Sequence, residues 1–265
     1  MASSTPPVQP VSELTWSPRG GNPWFSRALR GSCRARVFAF PNSGGAGAPT
    51  FASWLSIWPQ SIELCAVELP GRPARIAEPP FRDFRTLTSA VLEQVEPLCD
   101  VPFAVFGASL GGAMAFYLVR ELEARGLRPV HFFIAACSVP THGVPHRAVY
   151  HSLPDADFIK VVERAYGGSM STRLKPEVLR ALMPGLRADF AMMETNRVPP
   201  DPELVRCPIT AYAGVTDAML PATAIEAWGE WTDQPFTFHA LERGHFFVAE
   251  ERERLVRDIE AKLGS

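Results

Sequence analysis

The sequence predicts an α/β fold: a mostly parallel central sheet with helices on both faces and an inserted helical segment. Three observations predict it. Apolar runs alternate with helical periodicity in the order β-α-β-α-β-α-β as far as residue 136, the rhythm of crossover units in a parallel sheet. Between about residues 138 and 206 the rhythm breaks into two helical patterns, and from residue 207 it resumes. The 265 residues suit one large domain that buries most of its unfolded surface.

Residues 1–23 carry Pro6, Pro7, Pro10, Pro18 and Pro23 among scattered Ser and Gly. They are expected to be extended or disordered, with Trp24 and Phe25 as their docking point and the domain proper spanning 24–265. Residues 33–40 alternate and then become wholly apolar, a strand entering a buried sheet. A loop follows, Pro41-Asn42-Ser43-Gly44-Gly45-Ala46-Gly47, then a helical stretch with Phe51, Trp54 and Leu55. Residues 61–69 form a second strand, running into Pro70-Gly71-Arg72-Pro73-Ala74-Arg75. Leu87, Val91, Leu92, Val95 and Leu98 then share one face of a helix over 84–98.

The run at 103–106 reads as a buried strand, followed at once by a helix to about Arg125 that Gly126 stops. Residues 130–136 are the next strand. In the insertion, helical patterns lie near 155–166 and from Pro176 to about Thr195. Residues 207–213 are a strand ending in Gly214-Val215-Thr216-Asp217. A helix over 221–228, a strand over 236–241, Glu242-Arg243-Gly244-His245-Phe246-Phe247 and a closing helix with Leu255, Ile259 and Leu263 complete the chain.

Composition excludes several classes. Lys+Arg 26 against Asp+Glu 28 leaves a net charge of −2, which argues against nucleic acid or an anionic membrane recognised by bulk charge. No apolar stretch approaches the ~18 residues of a membrane span, and the first ten residues are polar and proline-rich. A soluble protein without a signal peptide is expected. The 5 cysteines are odd in number, widely spaced and mostly beside apolar strands, without zinc spacing. A cytoplasmic location and no metal fit this pattern.

The chemistry centres on Gly107-Ala108-Ser109-Leu110-Gly111, a G-x-S-x-G between a strand and a helix. A strand turning directly into a helix strains the corner residue, and side chains two positions away on either side would collide. Glycine at both positions removes the collision. Ser109 would then stand exposed above the strand ends, at a helix N-terminus that favours developing negative charge. The alternative is a tight turn whose serine only caps the helix. A serine nucleophile needs a base, and the base needs a group to hold its tautomer.

Of six histidines, His131 and His239 lie in strands, and His142, His146 and His151 lie at the proline-containing entry to the insertion. His245 follows the last strand, where its ring can overhang the strand ends, and is the expected base. Asp217, just past a buried strand, gives the order Ser…Asp…His of α/β-hydrolase folds. Its rivals, Asp189 on an insertion helix and Asp233 in a turn, have no strand end to aim them.

The glycine-rich loop at 41–47 could cradle a phosphate, supply an oxyanion donor or be an ordinary turn. It is followed by no Gly-Lys-Ser/Thr and lacks a true G-x-G-x-x-G. The preferred reading pairs the backbone N–H groups of Ser43 and Leu110 as the oxyanion hole. Leu179, Leu182, Met183, Leu186, Phe190, Met192 and Met193 fit either a lid lining an acyl pocket, about 138–206, or plain core packing. Met183, Phe190, Met193 and Phe246 are the candidate substrate contacts.

With these motifs in place, residues 24 to 263 resemble the type II (external) thioesterases of polyketide and nonribosomal peptide synthesis, relatives of the medium-chain fatty acid synthase thioesterases. The resemblance rests on Trp24-Phe25, Phe40-Pro41-Asn42-Ser43-Gly44-Gly45, Leu69-Pro70-Gly71-Arg72 with Arg75, Leu186-Arg187-Ala188-Asp189-Phe190, Cys207-Pro208-Ile209-Thr210 and Gly244-His245-Phe246-Phe247. The family's usual elbow is Gly-His-Ser-Met-Gly; here Ala108 and Leu110 replace the His and Met.

The resemblance implies an α/β-hydrolase fold and hydrolysis of acyl groups from the phosphopantetheine arm of acyl or peptidyl carrier proteins. It implies no metal or redox cofactor, since the pantetheine belongs to the substrate. A monomer is expected. Two other functions stay open. An acyltransferase would pass the acyl-serine to an acceptor other than water, and a binding module would use the fold without catalysis. The natural acyl group and the partner synthase are not legible.

Overall fold

A strand that is buried on both faces must be covered on both, and five consecutive strands here meet that description. In the computed structural model, which describes residues 14–17, 21–140, 149–166, 174–196 and 204–264, these are β2 (Ala35–Phe40), β3 (Ile62–Val67), β4 (Phe103–Ala108), β5 (His131–Ala135) and β6 (Ile209–Gly214), buried at every position. With β1 (Phe25–Ala28) and β7 (Phe236–Leu241) at the edges, they form one sheet in the order β1-β3-β2-β4-β5-β6-β7. Only β1 runs antiparallel, on β3; the other pairings are parallel.

Helices cover both faces. Helices α2 (Phe84–Val95) and α3 (Leu110–Ala124) pack Leu87, Val91, Met114 and Leu118 against Phe38, Val105 and Phe132. On the other face, α1 (Gly47–Phe51) and α7 (Arg252–Leu263) pack Phe51, Leu255 and Ile259 with Phe106, Phe133 and Tyr212. Between β5 and β6 stand α4 (Asp155–Tyr166) and α5 (Pro176–Thr195), with a small core of their own made by Phe158, Val162, Leu179, Met183, Leu186 and Phe190. Among the described residues, no helix is long and apolar enough to cross a membrane.

Three elements differ from the sequence reading. Strand β1 was not expected: its four residues, Phe-Ser-Arg-Ala, carry no pattern of their own. It is fixed by register on β3 and by the Arg27–Glu63 pair at 2.6 Å. The helix expected over 84–98 ends at Val95, and Glu96–Leu98 tighten into a 3-10 turn around Pro97, which has no N–H to continue the α-ladder. The helix expected over 221–228 is α6 (Ala222–Glu226), followed by the 3-10 turn Ala227–Trp231.

The topology places the site. The chain leaves β2 for β3 on one side, then returns to lay β4 on the other side of β2. The carboxyl ends of β2 and β4 therefore flank the point where strand order reverses, where open α/β sheets hold ligands. Phe40, the last residue of β2, pairs with Gly107 of β4.

Candidate active site

One residue separates β4 from α3, and it is Ser109. Its backbone lies at φ 52, ψ −123, a left-handed geometry that costs a non-glycine residue roughly 1–3 kcal/mol and persists only where neighbours enforce it. Those neighbours are in place: Ser109 N–H donates to Ala135 O at 2.8 Å and Gly112 N–H to Ser109 O at 2.8 Å. A Cβ on Gly107 would lie 2.4 Å from Gly111 O, and one on Gly111 would lie 2.4 Å from Pro41 O. The crowding expected from the motif is therefore real, and it extends to the loop after β2.

Asp217 lies in the turn after β6. Its Oδ1 accepts the N–H groups of Met219 at 2.7 Å and Leu220 at 3.2 Å. Its Oδ2 lies 2.7 Å from His245 Nδ1, and the side chain is 0% exposed. A carboxylate only accepts, so Nδ1 carries the proton and Nε2 presents its lone pair. That lone pair faces Ser109 Oγ at 2.9 Å. The aspartate thus closes its turn with one oxygen and holds the histidine with the other.

The remaining candidates are engaged elsewhere. His131 pairs with Thr210 Oγ1 at 2.8 Å inside the sheet, His239 lies 3.7 Å from Asp258, and His151 bonds Glu194 at 2.5 Å. His142 and His146 lie outside the described residues. Asp233 is exposed and bonded by Gln234.

The loop after β2 is held at both ends by buried carboxylates. Glu68 accepts from Gly47 N–H at 3.0 Å and Ala48 N–H at 2.9 Å, and Asp189 of α5 accepts from Ser43 Oγ at 2.9 Å and Gly44 N–H at 2.8 Å. Gly45 N–H closes a turn on Asn42 O at 2.9 Å. Leu110, the other expected donor, is the first residue of α3, where a helix leaves its N–H groups without intrahelical partners. The Thioesterase domain family model matches residues 35–263. The chain belongs to the thioesterase family.

Among its relatives, the gramicidin S biosynthesis protein GrsT of Aneurinibacillus migulanus is 33% identical over 238 residues, covering 89% of this chain and 91% of that protein. A Brevibacillus parabrevis protein named linear gramicidin dehydrogenase LgrE is 34% identical over 245 residues, 91% and 92% of the two chains. The solved structure of the type II thioesterase BorB, from the borrelidin biosynthetic cluster, superposes with a TM-score of 0.80 at 27% identity, covering 93% of this chain and 98% of that one.

The thioesterase distributes the expected acyl contacts unevenly. Met183 and Phe190 lie in the core between α4 and α5, with Phe190 edge-on to Phe158 at 5.1 Å. Met193 bridges that core and the main one, and Phe246 is 44% exposed with its ring 4.9 Å from that of His245. A cavity of about 320 Å³ opens between α2, α3 and the end of α5, lined by Phe84, Thr88, Tyr117, Met192 and Asn196 among others, none of them Ser109, Asp217 or His245. Among the described residues, no cluster of three or more His, Cys, Asp or Glu could hold a metal ion.

From its place in the sequence Asp189 is only a rival to Asp217. The thioesterase instead sets it 1% exposed against the loop after β2 and pairs it with Arg72. The signal was present: Phe40-to-Gly45, Leu69-to-Arg72 and Leu186-to-Phe190 carried the family resemblance as separate strings, and in space they touch.

Proposed function

We propose that this thioesterase hydrolyses acyl groups carried as thioesters on the phosphopantetheine arm of carrier-protein domains, through an acyl-serine at Ser109. The observation that carries the reading is the unbroken relay from Ser109 Oγ to His245 Nε2 at 2.9 Å and from His245 Nδ1 to Asp217 at 2.7 Å. His245 takes the hydroxyl proton as Oγ attacks the thioester carbonyl, and Asp217 steadies the imidazolium that forms. The N–H groups of Ser43 and Leu110 meet the negative charge on the carbonyl oxygen. Collapse breaks the C–S bond and His245 returns the proton to the thiolate. Water, deprotonated by His245, then attacks the acyl-serine; the bond from the acyl carbon to Oγ breaks, His245 returns the proton to Ser109 Oγ, and the acid is released.

The same triad would cleave oxygen esters, so the thioester preference rests on the family and on relatives named for gramicidin S and borrelidin biosynthesis. Helices α4 and α5 act as the lid, with Met193 and Phe246 as the acyl contacts and Met183 and Phe190 shaping the lid from within. The dehydrogenase name of the Brevibacillus relative finds no support in this chain. The loop after β2 lacks G-x-G-x-x-G, and the helix N-terminus where a pyrophosphate would sit holds the Glu68 carboxylate instead.

Intact-protein mass spectrometry with a panel of acyl-carrier thioesters tests the reading, comparing wild type with Ser109→Ala. The expected result is an acyl adduct on wild type that water clears, and none on the variant. An adduct that persists until an amine or alcohol is added would make the protein an acyltransferase. An adduct on Ser109→Ala would place the nucleophile elsewhere.

A further inference from the structure

A buried ion pair is weak evidence for stability, because desolvating both charges offsets most of their attraction. The pair between Arg72 and Asp189 is buried, with side chains 4% and 1% exposed, and Arg72 Nε has no partner among the described residues. Helix α5 also gives up a side chain to admit it: a Cβ on Gly185 would lie 2.4 Å from Arg72 Nη1. The arrangement is better explained by what the Asp189 carboxylate does with its other oxygen. That oxygen accepts Ser43 Oγ–H at 2.9 Å and Gly44 N–H at 2.8 Å, 146 and 145 residues away along the chain. The first bond fixes the Ser43 side chain and the second fixes the peptide that follows it. From the other side, the turn bond of Gly45 N–H to Asn42 O at 2.9 Å holds the preceding segment. The Ser43 N–H is clamped between them.

We propose that Asp189 is a positioning residue for the reaction. From helix α5 it sets the direction of the Ser43 N–H, with Arg72 holding the carboxylate in place, so that the oxyanion hole is complete only while α5 lies on the loop after β2. The inference rests on Ser43 being an oxyanion donor, as read above. Its consequence is that the lid helix governs the chemical step as well as access, since an acyl chain that lifts α5 would also slacken the donor.

The test uses Asp189→Asn, whose side chain is the same size but sets an amide against Arg72. Acylation is followed in single turnovers with an acyl N-acetylcysteamine thioester, per active site titrated. Affinity is measured for two ligands of the same chain length: a trifluoromethyl ketone, which forms a tetrahedral adduct on Ser109, and an unreactive thioether. The loss of a single oxyanion donor lowers rate by about 10²–10³, so misdirecting one is expected to lower acylation by roughly 10- to 100-fold. Trifluoromethyl ketone affinity should fall in parallel while thioether affinity stays put. Ser43→Ala, which keeps the backbone N–H and the Gly44 bond, should show the same pattern with a smaller loss of about three- to tenfold. If Asp189→Asn fails to fold, Ser43→Ala alone decides. Wild-type acylation per titrated site, or an equal loss for both ligands, overturns the proposal. Wild type that forms no acyl-serine at all overturns the reading beneath it as well.

Discussion

Asp217 Oδ2 and His245 Nδ1 stand 2.7 Å apart with the carboxylate wholly shielded from solvent. Asp217→Asn keeps an oxygen for the N–H groups of Met219 and Leu220 but turns an NH₂ toward Nδ1. The imidazole then carries its proton on Nε2 and donates toward Ser109 when it should accept. The expected outcome is a fall in kcat of about 10³–10⁴ with KM within a few-fold, as for a triad held in the wrong tautomer. Steady-state kinetics on a soluble thioester measure it; a variant within tenfold of wild type would remove Asp217 from the triad.

The elbow predicts a contrast between two glycines. At Gly107 a Cβ would strike Gly111 O at 2.4 Å, whereas at Gly126, φ +79, nothing lies within 4 Å. Gly107→Ala must push β4 and α3 apart, at a cost of about 3 kcal/mol or more. Gly126→Ala meets only the left-handed backbone penalty of about 1–2 kcal/mol. Thermal unfolding should show the first variant much the less stable, and only Gly126→Ala should retain wild-type esterase activity. Equal melting temperatures would mean that the strand–helix turn relaxes freely.

Legibility in the sequence followed the range of the interaction. The buried strands and the helical faces of α2, α3 and α5 are local periodicities and could be read directly. The G-x-S-x-G could be read because the collision avoided at Gly107 lies within five residues; the one avoided at Gly111, against Pro41 O, is distant in sequence. Asp217 and His245 were found from chain order and from their places at strand ends, both local signals of a distant meeting. Strand β1 had no such signal, since Phe25 to Ala28 acquire their conformation from β3. Asp189 stands out in the sequence as a charge on an apolar helix and within one of the family strings, but its role does not: its partners Arg72, Ser43 and Gly44 lie more than a hundred residues away. Met183 and Phe190 illustrate a different limit. A helix face packed on a neighbouring helix and one facing a ligand have the same periodicity, and only the position of Phe158 separates them.

His131 predicts how stability depends on pH. Burial, with a smaller push from Lys262, lowers its pKa from 6.5 to about 4. Between those values the unfolded chain takes up a proton that the folded protein refuses. Its contribution is therefore complete above about pH 6.5 and is lost as pH falls toward 4, amounting to roughly 3 kcal/mol at full extent. His131→Gln, which does not titrate, should lose less stability between pH 7 and pH 5 than wild type in urea melts. Parallel pH slopes for the two proteins would show that His131 is protonated in the folded state.

Glu68, 1% exposed, accepts from Ser26 Oγ at 2.7 Å as well as from the N–H groups of Gly47 and Ala48. It thereby ties β1, β3 and the start of α1 together. Glu68→Gln keeps the shape but has one acceptor oxygen in place of two, and its NH₂ must face a backbone N–H. The expected loss is about 1–3 kcal/mol, the range for hydrogen bonds to a charged group and for a donor left unmatched. In a chain of 265 residues that lowers the melting temperature by several degrees. Because Glu68 holds the far end of the loop from Ser43, acylation per titrated site should stay much closer to wild type than in Asp189→Asn. A Glu68→Gln variant that melts normally but acylates as slowly as Asp189→Asn would instead make the whole loop, from Asn42 to Ala48, a single rigid unit set from either end.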